Sequence, residues 1–211
     1  RTYEFGVWQR HRYITMELLE GHDLAEMLVR NRGPLPVDST LELLRQVCLG
    51  LGAAHDAGVI HRDIKPHNLF AVDGGRQVKI MDFGIAKSAD ISMANTGVAK
   101  VMGSPAYLAP ERLQEESELS VQTDLYSLGV VMYQLFTGQL PFDGANLTTV
   151  LKRIVLDTPP NPRALNAALP VRLDQLIMRC MARSPTARYA SCSALRAHIE
   201  EIQTELSTAS S

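Results

Sequence analysis

Cysteine is scarce in this sequence, and a dominant charge of either sign is missing. The three cysteines, Cys48, Cys180 and Cys192, are odd in number and far apart in 211 residues. They form neither a disulfide framework nor a zinc-ligand spacing, which favours a reducing compartment. The six histidines show no metal spacing either. Lys and Arg total 21 against 23 Asp and Glu, a net charge of −2. That balance excludes a strongly basic nucleic-acid-binding surface and an acidic tail. No apolar run is long enough to span a bilayer, since Leu125–Phe136 is short and interrupted by Tyr126, Ser127 and Gln134. No signal-peptide pattern and no internal repeat occur. What is present is a chain 45% apolar, enough to bury one sizeable core. It opens on Arg1 rather than Met, so a fragment or a processed product is expected.

Tyr3–Trp8 and Tyr13–Leu18 are β-prone around a polar turn at Gln9–Arg12, an expected antiparallel pair. Glu20-Gly21-His22 breaks the second strand, and Asp23 caps a short helix carrying Leu24, Met27 and Leu28. Asp38 or Ser39 is expected to cap a longer helix. Its apolar positions Leu41, Leu44, Val47, Cys48 and Leu51 recur every three or four residues. Residues 87–103 are small and polar without a period, too long for an ordinary connection, and read as a functional loop. Val121–Thr137 is apolar nearly all round, a buried central helix stopped by Gly138. Further helices are expected near Leu147–Val155, Leu173–Ala182 and Cys192–Leu206, separated by prolines. Ser207–Ser211 reads as a polar tail.

The stretch from His61 to Gly84, HRDIKPHNLFAVDGGRQVKIMDFG, organises the rest. Leu69–Val72 and Val78–Ile80 flank an Asp-Gly-Gly turn, the signature of a hairpin. A hairpin brings its two ends together, which places Asn68 beside Asp82. An amide oxygen next to a carboxylate suits Mg²⁺, a hard cation that leaves room for phosphate oxygens. Asp63 lies one short loop away, within reach of a hydroxyl.

His61-Arg62-Asp63, Lys65, Asn68 and Asp82-Phe83-Gly84, in this order and spacing, resemble the catalytic and magnesium loops of eukaryotic-like (Hanks-type) serine/threonine protein kinases. The style of the motifs is bacterial. The resemblance implies an α+β kinase fold: residual small-lobe strands over 1–16, a hinge over 17–23, a large lobe over 24–203, and a tail or linker start over 204–211. It implies transfer of the ATP γ-phosphate to protein Ser/Thr hydroxyls, with ATP and Mg²⁺ as cofactors. Partners would be protein substrates, with no nucleic acid and no membrane segment, in the cytoplasm or a cytoplasmic part of a longer protein. Asp63 would accept or orient the hydroxyl proton, Lys65 would neutralise the γ-phosphate, and Asn68 and Asp82 would hold Mg²⁺. The backbone of Glu17 and Leu19 would bind adenine beside a gatekeeper Met16. Phe70 would underlie the purine, and Asp23 would accept a ribose hydroxyl or serve as the helix cap.

The resemblance also implies a regulatory set. Arg62 and Lys87 would pair with a phosphate on Thr96 or, second, Ser92. Ser104 would be a structural part of the substrate-docking loop. Glu111 would pair with Arg188, Asp124 would accept backbone N–H bonds from the catalytic loop, and His61 would stack with Phe83. Tyr126 stands where relatives often have Trp. Three expected parts are missing from the 211 residues: a G-x-G-x-x-G loop, the strand Lys that grips the α- and β-phosphates, and the helix carrying its Glu partner. A non-catalytic binding or scaffold module and a small-molecule kinase on the same fold remain as alternatives.

Overall fold

Two antiparallel strands open the chain, β1 (Thr2–Trp8) and β2 (His11–Met16). The structure is a computed structural model that describes residues 2–83, 105–113 and 120–209. Gln9 and Arg10 form the whole connection, with φ of 46° and 68°. Two successive left-handed residues match the twist of a tight hairpin. The turn is therefore shorter than the Gln9–Arg12 expected, and β2 ends at Met16 rather than Leu18. Beyond it the chain turns away, with the Glu17 carboxylate 2.6 Å from Lys79 Nζ.

The second sheet has the order β3 (Gly21–Asp23), β4 (Leu69–Val72), β5 (Gln77–Ile80), all antiparallel. The β4–β5 hairpin and its Asp73–Gly75 turn match the sequence reading. Gln46 of the following helix layer pins the outer strand, accepting from Val78 N at 3.1 Å and donating to Arg76 O at 2.9 Å. Strand β3 corrects the expectation that residues 20–22 only interrupt the chain. Glycine is disfavoured in strands in general, yet a Cβ at Gly21 would lie 2.0 Å from Ala71 O. Close backbone approach is what requires glycine there.

Helix α1 (Leu24–Asn31) starts where expected, with Asp23 Oδ1 accepting from Glu26 N at 2.8 Å. Helix α2 (Val37–Asp56) buries Leu41, Leu44, Val47, Cys48 and Leu51. Each such burial stabilises by roughly 1.5–3 kcal/mol. Its cap is Pro36, not Asp38 or Ser39, and no side chain bonds the first turn. The proline ring presets the backbone, and Asp38 sits in the first turn, where a carboxylate favours the helix dipole. Helix α3 (Val121–Thr137) is buried almost throughout, starts with a Ser120–Thr123 capping box, and ends at Gly138 with φ 74°. Helices α4 (Leu147–Leu156), α5 (Pro162–Leu165), α6 (Val171–Cys180) and α7 (Cys192–Ala209) complete the body. Helix α3 packs on α6, and α2 packs on α7. Helix α7 continues three residues past the expected Leu206, and Ser207 Oγ bonds Gln203 O inside it. Among the described residues, no helix is long and apolar enough to cross a membrane.

Candidate active site

Residues 61–68 run between α2 and β4 along the buried N-terminal end of α3. Their placement begins with Asp124, 1% exposed in the first turn of α3. One carboxylate oxygen accepts from Arg62 N at 2.8 Å, and the other accepts from His61 N and His55 Nε2, both at 2.8 Å. Bonds to an ionised group are stronger than those between neutral partners. His61 is fully buried and links two loops: Nε2 lies 2.8 Å from Met81 O, and Asp63 N lies 3.3 Å from Nδ1. A carbonyl facing Nε2 and an N–H facing Nδ1 fix the tautomer with the proton on Nε2. The His61 and Phe83 rings lie 4.7 Å apart.

Three side chains then converge. Lys65 Nζ is 2.9 Å from Asp63 Oδ2. Asn68 Nδ2 donates to the same oxygen at 3.2 Å and to Asp63 O at 2.7 Å. Since Asp63 O accepts only, the Asn68 amide orientation is set, and Oδ1 is the atom left for a cation. The hairpin does the rest. Leu69 pairs with Ile80, and Met81 N donates to Asn68 O at 2.8 Å, so Asp82 follows directly from a residue bonded to Asn68. Asp82 is exposed and holds φ 53°, a left-handed conformation that concentrates at functional sites. Among the described residues, no three His, Cys, Asp or Glu side chains gather into a metal cage. An amide oxygen plus one exposed carboxylate fits Mg²⁺, which binds through one or two protein oxygens and completes its shell with phosphates and water.

The expected nucleotide-binding positions lie on two segments, the β3–β5 sheet and the stretch between β2 and β3. Asp23, Phe70 and Lys79 form one rung across β3, β4 and β5. Phe70 is half-buried, and Asp23 realises its capping role through Oδ1. Glu17 and Leu19 lie in the irregular segment between β2 and β3, with Met16 exposed at the end of β2. Arg62 takes a left-handed φ of 68°, and its Nε is buried without a hydrogen-bond partner among the described residues. Lys87, Ser92, Thr96 and Ser104 lie outside the described residues, as does Gly84.

A second cluster braces the site from behind. Glu111 accepts from Arg188 Nη1 at 2.7 Å and Nη2 at 2.8 Å, and the Arg188 side chain is fully buried. Burial alone raises the Glu111 carboxyl, but the Arg188 bonds hold it below the usual value. Sequence reasoning missed two contributors. His55, near the end of α2, bonds Asp124, and its Nδ1 lies 3.5 Å from Cys192 Sγ at the start of α7. Arg112 donates to Arg62 O at 2.7 Å. Neither carries a local signal, because both partners are distant in sequence.

Comparison with known proteins identifies the family. The family model described as the protein kinase domain matches residues 1–199. Serine/threonine-protein kinase PknL of Mycobacterium tuberculosis is 40% identical over 206 residues, covering 97% of this chain and 50% of that protein. Serine/threonine-protein kinase Pkn1 of Myxococcus xanthus is 41% identical over 187 residues, covering 87% of this chain and 26% of its own length. The chain thus spans half or less of these curated relatives. Among solved structures, the Mycobacterium tuberculosis PknI kinase domain superposes with a TM-score of 0.72 at 27% identity, covering 95% of this chain and 70% of that one. Rad53 in complex with AMP-PNP gives 0.78 at 26% identity, covering 94% and 49%. A locked Asp63–Lys65–Asn68 cluster, a family match over nearly the whole chain and bacterial kinase relatives lead to one conclusion: this chain belongs to the protein kinase family, in its bacterial Hanks-type serine/threonine branch.

Proposed function

We propose that the protein carrying this chain transfers the γ-phosphoryl group of ATP to Ser or Thr hydroxyls of protein substrates. The observation that carries this reading is the convergence of Lys65 and Asn68 on the Asp63 carboxylate, at 2.9 and 3.2 Å. In transfer, the substrate hydroxyl oxygen bonds the γ-phosphorus, the bond to the bridging β–γ oxygen breaks, and ADP leaves. Asp63 orients the hydroxyl and takes its proton. Lys65 neutralises charge on the transferring phosphoryl group, where fixed positive charge is most effective. Asn68 Oδ1 and the Asp82 carboxylate would hold Mg²⁺, which when bound would neutralise charge on the phosphates. The backbone of Glu17 and Leu19 takes the adenine beside Met16, Phe70 underlies it, and the second Asp23 oxygen receives the ribose. The complex of a structural neighbour with AMP-PNP supports the nucleotide assignment.

Regulation follows from Arg62, whose buried Nε has no partner among the described residues. A phosphate on Thr96, or second on Ser92, pairs with Arg62 and Lys87, while Ser104 is structural. The 211 residues contain no G-x-G-x-x-G loop and no phosphate-gripping strand Lys. On their own they transfer phosphate poorly, because nothing from above covers the phosphates or excludes water.

The test is Asp63→Asn in the full-length protein, with kcat and the Kd for Mg·ATP measured together. Turnover is expected to fall about 10²–10⁴-fold with nucleotide affinity nearly intact. Near-normal kcat overturns the assignment. Residues 1–211 alone, assayed beside the full-length protein, are expected to be far slower, and equal turnover overturns the account of the missing parts.

A further inference from the structure

We propose that Arg112 is a positioning residue for phosphoryl transfer, clamping the peptide group that leads into Asp63. The inference rests on the assignment of Asp63 above and adds a residue that the motifs do not name. The peptide unit between Arg62 and Asp63 is held at both of its polar atoms. Its carbonyl oxygen accepts from Arg112 Nη1 at 2.7 Å, and its N–H meets His61 Nδ1 at 3.3 Å. One residue earlier, Arg62 N–H is fixed on Asp124. The clamp has a strained backbone to hold. Arg62 sits at φ 68°, a left-handed conformation that a non-glycine residue keeps only where its surroundings enforce it. Releasing the carbonyl lets that peptide plane rotate, and rotation swings the Asp63 side chain away from Lys65 and Asn68.

The platform that carries Arg112 is rigid. Arg112 lies in the turn Pro110–Leu113, its own N–H bonds Ala109 O at 3.0 Å, and its neighbour Glu111 is locked onto buried Arg188. A surface arginine making a chance contact would keep its charge in water. Arg112 is partly withdrawn from it: burial pushes its pKa down, the nearby Asp63, Asp124 and Glu111 carboxylates oppose that, and Arg62 adds repulsion. A partly desolvated guanidinium with one short bond to a strained backbone is a costly arrangement, and anchoring that loop is what it provides. Arginine suits the task better than lysine, since its planar fork presents fixed donors.

The experiment uses the full-length protein as wild type, Arg112→Gln, Asp63→Asn and the double variant, read by kcat, Kd for Mg·ATP and Tm. Arg112→Gln is expected to lower kcat about ten- to a hundredfold, the scale of a small misplacement of a reacting group. Nucleotide Kd should stay within about twofold, because Asn68 and Asp82 keep their places. The double variant should be no slower than Asp63→Asn alone, since Arg112 acts through that carboxylate. A merely structural role predicts the opposite, a loss in the double variant equal to the product of the singles. Arg112→Gln turnover within about twofold of wild type, or multiplied losses in the double variant, overturns the inference. Normal turnover in Asp63→Asn overturns the underlying assignment instead. Should Arg112→Gln fail to fold, Arg112→Lys takes its place: it should fold, lose part of kcat and show the same non-additivity with Asp63→Asn, and full wild-type turnover refutes the clamp.

Discussion

Replacing Arg188 by methionine removes a buried side chain whose donors are all satisfied. Its guanidinium has five N–H donors, and five acceptors meet them. Two are the oxygens of Glu111 at 2.7 and 2.8 Å, and three are the carbonyls of Ala182, Gln122 and Arg183 at 2.8, 2.9 and 3.1 Å. Its charge also lies 4.8 Å from the centre of the Tyr126 ring. Breaking a buried ion pair from one side costs about 3–5 kcal/mol, and the three abandoned carbonyls place Arg188→Met at the upper end. Glu111→Met should cost less, because Arg188 keeps its three carbonyls. The double variant should cost less than the sum of the two, since neither charge is then stranded. Acid gives a second signature. The folded carboxyl of Glu111 lies below its unfolded value, so its contribution is fully present above the ordinary glutamate range (about 4.3). It is lost as pH falls through the lowered folded value. Urea midpoints at pH 7 and in a descending acid series measure both effects. A loss under about 1 kcal/mol for Arg188→Met, strictly additive singles, or a wild-type advantage that grows in acid refutes the reasoning.

Three further outcomes are expected. Asp82→Ala should weaken Mg·ATP binding as well as turnover, unlike Asp63→Asn, and isothermal titration with and without Mg²⁺ separates the two. Asp124→Ala leaves the buried N–H groups of His61 and Arg62 without acceptors. It should lose about 2–6 kcal/mol at roughly 1–3 per stranded donor, read by denaturant unfolding. Thr96→Ala should lower activity, and Arg62→Ala should abolish the benefit of phosphorylation. Unmodified Thr96 in phosphopeptide maps of active protein would sink that idea.

Local chemistry was readable in advance, and long-range closure was not. The Asp73-Gly74-Gly75 turn, the Asp23 cap and the Leu41–Leu51 stripe of α2 each declare themselves within a few residues. So does the Asn68–Met81 neighbourhood, because a hairpin register follows from its turn. Strand β3 was hidden because three residues have no period, and its existence depends on the exposed edge of β4. Helix α5 was hidden because Pro162 reads as a breaker, whereas behind an Asn161 cap it is a helix start. The start of α2 was misplaced because Pro36 leaves no side-chain acceptor to recognise. His55 and Arg112 act across 69 and 50 residues of sequence, where no spacing rule reaches.

The β4–β5 hairpin places its two ends in different situations. Asn68 and Asp82 stand at the open end, while the exposed Asp73–Arg76 turn stands four residue pairs away, roughly 13 Å along the strands. Residues inserted at Gly74-Gly75 should therefore leave Asn68 and Asp82 where they are, provided the strand pairing stays in place. A deletion within either strand is the reverse case, because a one-residue slip turns every side chain to the other face and separates Met81 from Asn68. For an engineer, the turn is the place to attach a reporter close to this site without entering it.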